Sequence, residues 1–147
     1  IDPALAARAA VCLGDLPWVT VEARSGTDAG LPEADIIYVS AAASAPAPVW
    51  IAALRQGGRL LFPLAPARGR GGMLLVRREG GRWPARFLPW RVGFIGCAGA
   101  QDDETNERLR EAFARGEMAA VRSLRLDGEP DETAWVAGDG WWLSTAE

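Results

Sequence analysis

One stretch limits the folds open to this chain more than any other. Residues 33–64 read EADIIYVSAAASAPAPVWIAALRQGGRLLFPL. Residues 35–40 form an apolar run in which Ile36, Ile37, Tyr38 and Val39 are β-branched or aromatic, the pattern of a strand buried on both faces. A loop of small residues follows at 41–45. Ser44 is placed to cap a helix over 46–56 that Pro46 and Pro48 open, because proline fits a first turn whose amides lack partners anyway. Trp50, Ile51 and Leu54 share one helical face. Gly57 is expected to end the helix in a left-handed conformation, and Gly58 to let the chain turn into a second buried strand over 59–64. Strand, crossover helix and strand make a right-handed βαβ unit, which belongs to a parallel sheet.

Composition narrows the function classes. The 147 residues are enough for one domain with a real core. A net charge of −3 gives no electrostatic reason to expect nucleic acid as a partner. No apolar run nears the roughly 20 residues that span a bilayer, so no membrane segment is expected. Cys12 and Cys97 lie in apolar contexts and read as reduced core thiols of a cytoplasmic protein, with a disulfide or metal site as the lesser alternative. There is no histidine. Histidine triads, histidine general bases and histidine metal sites are therefore excluded within this chain, and no metal site is expected.

The order of motifs adds a resemblance. DIIYVSAAA followed by LRQGGRLLFPL resembles the fourth and fifth strands of a class I S-adenosylmethionine-dependent methyltransferase. Within that superfamily it is most similar to the protein-L-isoaspartate O-methyltransferase family, with its FDAIIV-TAA-type strand and L-K-P-G-G-R-L-V-I-P-V-type continuation. Asp35, Ile36, Ile37, Val39, Ala41 and Ala42 match the first element; Leu54, Gly57, Gly58, Arg59, Leu60 and Pro63 match the second. GMLLVRREGGRW resembles the family's next strand, and WRVGFIG its V-x-F-V-P-L-x-G ending. The likeness runs from Ile1 to about Gly99.

The resemblance implies an α/β fold with a partial Rossmann-like methyltransferase sheet, comprising the strands after the second. It implies S-adenosylmethionine as cofactor and a protein or peptide carboxylate as methyl acceptor. Residues 1–99 would be the C-terminal part of the methyltransferase-like domain, and 100–147 a helix and hairpin extension packed on it. On this view the chain continues a longer protein whose glycine turn and ribose-binding acid precede Ile1. Without them the 35–40 strand has an open edge, which upstream segments or a second subunit of a homo-oligomer would cover. The implied cofactor contacts are Ile1 against the adenine ring, Asp2 near the ribose, Ser25, Gly26 and Thr27 beside the adenine amine, and Ser40 and Ala41 beside the transferred methyl. The family carries an acid where this chain has Ser25, so that contact loses its charge. No catalytic residue can be assigned. The competing readings are a non-catalytic interaction module of the same fold and, more weakly, a nicotinamide-dependent enzyme.

The remaining segments are read from local pattern. Asp2 and Pro3 open a helix with a stripe of Leu5, Ala9, Cys12, Leu13 and Leu16, stopped near Gly14. Residues 18–23 alternate like a strand, with Val19 and Val21 on one face. Arg68 and Arg70 lie in a glycine-rich connection rather than a phosphate loop. Residues 73–78 and 83–88 form a hairpin around Glu79, Gly80 and Gly81, and 90–95 a further strand. Asp102 or Asp103 caps a helix to about Arg115, stopped by Gly116, with Leu109, Ala112 and Phe113 inward. A strand over 121–126 and a closing hairpin, 134–137 and 141–144, complete the chain. Trp135, Trp141 and Trp142 are expected to pack rather than to bind a ligand.

Overall fold

The computed structural model describes residues 2–147. It is an α/β arrangement of a four-stranded mixed sheet, a small three-stranded antiparallel sheet and the helices around them. In chain order the elements are α1 (Pro3–Leu13), β1 (Ala34–Tyr38), α2 (Pro48–Ala53), β2 (Leu54–Leu64), β3 (Gly71–Arg77), β4 (Ala85–Val92), α3 (Asp103–Arg115), a 3-10 turn (Met118–Ala120), β5 (Ser123–Arg125), β6 (Ala134–Gly138) and β7 (Trp141–Ser144).

The βαβ expectation holds in topology. β1 and β2 pair in parallel, with Ile36, Ile37 and Tyr38 opposite Arg59, Leu60 and Leu61. Trp50 of α2 packs on Phe62 of β2, ring centroids 5.7 Å apart. β3 and β4 then add in antiparallel fashion, giving the order β1-β2-β3-β4. The β3–β4 turn places Gly80 at φ 56° and Gly81 at φ 83°. That handedness matches the twist of the flanking strands, and glycine adopts it without a Cβ clash.

The helix and its exit differ from the sequence reading. α2 starts at Pro48 and stops at Ala53, and no side chain caps it. The Ser44 hydroxyl instead accepts from the Asp102 amide at 2.8 Å, binding the start of α3. Between Ala34↔Leu54 and Ile36↔Arg59 the register jumps, so 55–58 loop out of the ladder. Gly57 sits in that loop at φ 80°. Gly58 has no positive φ; it is required because a Cβ there would lie 2.8 Å from the Arg55 carbonyl and 3.1 Å from that of Asp35. Both neighbours are backbone and cannot swing away. Gly58→Val should therefore cost about 1–3 kcal/mol through overpacking. A urea melt tests this; an unchanged midpoint contradicts the close approach.

The strand read as doubly buried is not. Ile36 and Tyr38 are each 59% exposed, while Ile37 and Val39 turn to the core. Nothing among the described residues covers the outer face of the sheet edge, so only alternate side chains are buried. On the inner face Leu60, Phe62, Leu64, Leu74, Val76, Ala85 and Phe87 join Leu109, Phe113, Trp135 and Leu143 in one cluster. The first ninety-nine residues and the remainder share this core.

α3 follows its sequence signals. The Asp102 carboxylate accepts from the Thr105 amide at 2.7 Å, and Leu109, Ala112 and Phe113 are buried. Glu104 and Arg108 form an ion pair one turn apart, and Arg115 donates to the Trp135 carbonyl. The hydrogen bonds from Thr105 hold the Asp102 carboxyl below its ordinary range. A depressed folded pKa stabilises the native state above the unfolded value of about 3.9, and the contribution fades as pH falls through the folded value. Asp102→Asn keeps the cap but loses the charge, so it should flatten the acid limb of a stability-versus-pH curve. An unchanged limb would exclude Asp102 as a source of that acid sensitivity.

Three local expectations are corrected. The 18–23 segment forms no strand, and Trp18 is 77% exposed. The 83–88 and 90–95 runs merge into one strand, β4, which ends at Val92. α1 forms with its Asp2 cap but buries none of its residues, so Cys12 is an exposed thiol rather than a core one. Its stripe finds no partner among the described residues, and a stripe without a partner buries nothing.

Candidate functional site

β1 ends on a passage of small side chains. The Val39 amide still reaches the Leu61 carbonyl at 3.0 Å. The chain then runs between the end of β2 and the segment 95–102. Ala43 bonds the Pro63 carbonyl and receives the Ala65 amide, both at 2.9 Å. Ala42 donates to the Ile95 carbonyl at 2.8 Å, and its own carbonyl accepts from the Cys97 amide at 2.7 Å and from Gln101 Nε2 at 2.6 Å. Ala42, Ala43 and Ser44 are buried. Their size is a packing requirement, because any larger side chain would push these strands apart. Ser40 is exposed and Ala41 half-buried, so these two border open space.

The 25–27 loop reaches the same end of β1. Trp50 Nε1 donates to the Gly26 carbonyl at 2.7 Å. Thr27 Oγ1 packs against Gly99, 2.7 Å from where a Cβ would stand. Residues 96–101 are thus flanked by the 25–27 loop on one side and by Ala42 on the other. Within the loop, Ser25 Oγ and Thr27 Oγ1 bond each other at 2.8 Å, and the Thr27 amide donates to Ser25 Oγ. The Asp28 carboxylate takes the Ser25 amide at 3.1 Å. These hydroxyls satisfy one another in a local turn of the kind Ser and Thr favour.

Four of the sequence-derived contacts are therefore gathered at the carboxyl end of β1 around the 96–101 segment: Ser25, Gly26, Thr27 and Ala41. Ser40 adjoins them. Asp2 is not among them. Its Oδ1 accepts from the Ala4 and Leu5 amides, and no hydrogen bond ties α1 to the sheet among the described residues. Ile1 lies outside the described residues.

One group was not legible in the sequence. Gln101 Oε1 is buried without a hydrogen-bond partner, while the Nε2 of the same amide is held by Ala42. An unmatched buried acceptor is uncommon and costs about 1–3 kcal/mol. The acceptor is enclosed next to Ala42, so a ligand N–H reaches it only if the 96–101 segment shifts. Cys97 is half-buried nearby, and burial pushes its thiol pKa up, which disfavours the nucleophilic thiolate. No group of three or more His, Cys, Asp or Glu gathers among the described residues. The site offers hydrogen bonds and a shaped edge, not an acid–base pair.

The fold and site define an α/β protein with a small-residue strand exit and an adjoining Ser/Thr turn. Compared with known protein families and with curated protein sequences, the chain matches none. No helix among the described residues is long and apolar enough to cross a membrane.

Proposed function

We propose that this chain belongs to an S-adenosylmethionine-dependent O-methyltransferase of the protein-L-isoaspartate type, acting in the cytoplasm on a protein or peptide carboxylate. One observation carries the reading: a parallel β1–α2–β2 unit, continued by an antiparallel edge hairpin, whose two candidate loops meet at the carboxyl end of β1. Ligands of open α/β sheets bind outside the carboxyl ends of the strands. A Rossmann-like sheet completed on the open edge of β1 would set Ser40 and Ala41 at its centre.

The fit to the cofactor is partial. Gln101 Oε1 suits an adenine amine, and Ser40 and Ala41 leave room beside a small transferred group. Asp2 stays with its helix cap and does not reach the other groups. When bound, S-adenosylmethionine supplies a methyl on a sulfonium, which a carboxylate oxygen can take directly. A substrate carboxylate is already ionised at neutral pH, so a site without histidine suffices. The residues here have to orient the acceptor and exclude water, which is where much of the rate of such a transfer arises.

The second reading, a non-catalytic interaction module, has its own support. Ser25 stands in place of an acid, and its hydroxyl is engaged by Thr27. The deciding experiment incubates the full gene product with methyl-labelled S-adenosylmethionine and an isoaspartyl peptide, with the normal aspartyl peptide as control. Base-labile label on the isoaspartyl peptide alone supports the methyltransferase. No label on either peptide favours the inert module.

A further inference from the structure

A recess opens on the outer face of the main sheet, toward the β3–β4 turn. Its volume is about 230 Å³, below the roughly 300–1,000 Å³ of sites for drug-sized ligands. Leu75, Arg77, Pro84, Ala85, Arg86 and Arg122 line it, three arginines and no carboxylate. The ladder puts these arginines together. Val76 and Ala85 pair and both belong to the core, so their neighbours Arg77 and Arg86 point to the other face. Leu75 pairs with Arg86, and the Arg77 amide bonds the Pro84 carbonyl at 2.9 Å. Arg77 and Arg86 are therefore diagonal neighbours, within reach of each other for long side chains. Arg122 is brought alongside by its carbonyl, which accepts from the Ala85 amide at 2.7 Å. On β2, Arg59 stands directly opposite Arg77, and like charges directly across a ladder destabilise it.

The donors of this cluster are largely free. The Arg59 and Arg86 side chains are exposed and make no hydrogen bond or ion pair among the described residues. Arg77 gives Nη1 to Glu79 at 3.4 Å, but both side chains are about half exposed, where such a pair is worth little. Glu79 itself does not line the recess. Arg122 is anchored by Nη1, which donates to the Ala119 and Val121 carbonyls at 2.7 and 2.9 Å. Its Nε and Nη2 make no hydrogen bond among the described residues, so its head is held in place with donors to spare. Guanidinium groups of this kind take phosphate oxygens in two-point geometry.

We propose that this recess binds a phosphate dianion, held by Arg86 and Arg122 with Arg77 as the third donor. The small volume suits an ion rather than a large organic ligand, and the uncompensated arginines supply the opposite charge. Bound there, the dianion offsets the repulsion between Arg59 and Arg77. Leu75 and Pro84 offer an apolar wall to the carbon side of a phosphate monoester. The site does not depend on the methyl-transfer reading.

The test is NMR of the backbone amides and arginine Nε–H groups of the 147-residue protein. It is titrated at fixed ionic strength with inorganic phosphate, phenyl phosphate and acetate. Saturable millimolar shifts at Arg86 and Arg122 with phosphate, about tenfold weaker with acetate, support the proposal. Tighter binding of phenyl phosphate assigns a monoester, and tighter binding of inorganic phosphate assigns the free ion; either supports the site. Arg86→Gln should fold normally, because that side chain is exposed and unpaired, and should weaken phosphate about tenfold. Arg86→Lys, which keeps the charge and loses the planar fork, should fall between it and the wild type. Arg68→Gln, at an exposed position outside the recess, should leave binding unchanged. Equal losses from Arg86→Gln and Arg68→Gln would mean diffuse attraction and overturn the site. Acetate binding as tightly as phosphate overturns the dianion assignment. Absence of saturable shifts at Arg86 and Arg122 with both phosphates overturns the proposal.

Discussion

Trp135→Ala should destabilise the protein by about 3–5 kcal/mol, the cost of emptying a large aromatic site from a packed core. Trp135 is 3% exposed. Its ring meets Phe113 at 5.1 Å and Phe87 at 5.2 Å in edge-to-face geometry, and Phe87 and Phe113 meet each other at 5.7 Å. Such contacts add about 0.5–1.5 kcal/mol each beyond area. The indole Nε1 also satisfies the Gly116 carbonyl at 2.7 Å, at the end of α3. One side chain thus ties the small sheet to β4 and to the stop of α3. Trp135→Phe keeps part of the ring stack and should fall between wild type and alanine. Trp18→Ala, at an exposed position, should stay within about 0.5 kcal/mol. Urea melts followed by far-ultraviolet circular dichroism compare the three. A loss below about 1 kcal/mol for Trp135→Ala would mean that residues 100–147 unfold separately from the main sheet.

The elements legible in the sequence are those set by neighbours a few residues away. Asp102, the apolar face of Leu109, Ala112 and Phe113, and Gly116 fix α3 within one residue, because cap, stripe and stop are all local signals. Gly80 and Gly81 likewise announce the β3–β4 turn. The misread elements are those decided by distant partners. Ser44 precedes two prolines and looks like a cap, but its hydroxyl is taken by an amide 58 residues later. Residues 36–39 have the composition of a strand buried on both faces, and composition is blind to whether a second layer is there to cover Ile36 and Tyr38. The stripe of α1 has the same weakness: amphipathic spacing tells which side would be buried, not against what.

The candidate site divides along the same line. Ser25, Gly26, Thr27, Ser40 and Ala41 were reachable through motif order, since each lies next to a recognisable strand or turn. Gln101 was not, because its partner Ala42 lies 59 residues away and nothing around Gln101 resembles a binding motif. Ala42 and Ala43 carry the opposite lesson. They directly follow the Ser40 and Ala41 assigned to the methyl site, yet Ala42 and Ala43 are buried among backbone carbonyls and serve packing.

S-adenosylmethionine should bind the 147-residue chain weakly, with a dissociation constant no tighter than the millimolar range, about −4 kcal/mol of binding free energy. The geometry supplies too few free contacts for more. The Ser25 and Thr27 hydroxyls are spent on each other, and the Gly26 carbonyl is taken by Trp50. Asp2, placed near the ribose by the resemblance, caps an α1 that is not docked on the sheet. Gln101 Oε1, Ser40 and Ala41 remain, and they hold one edge of an adenosine at most. The other wall would have to come from strands paired along the open edge of β1, where Ile36 and Tyr38 now face outward. Under the methyltransferase proposal, a longer form that supplies that edge with a glycine turn and an acid would bind in the micromolar range and bury Tyr38. Isothermal titration of both forms, with protection of the β1 amides from hydrogen exchange as a second readout, tests this directly. Protection of β1 should rise only in the form that binds. Micromolar binding by the 147-residue chain itself would sink the expectation, and would require the 25–27 turn to open and release its hydroxyls to the cofactor.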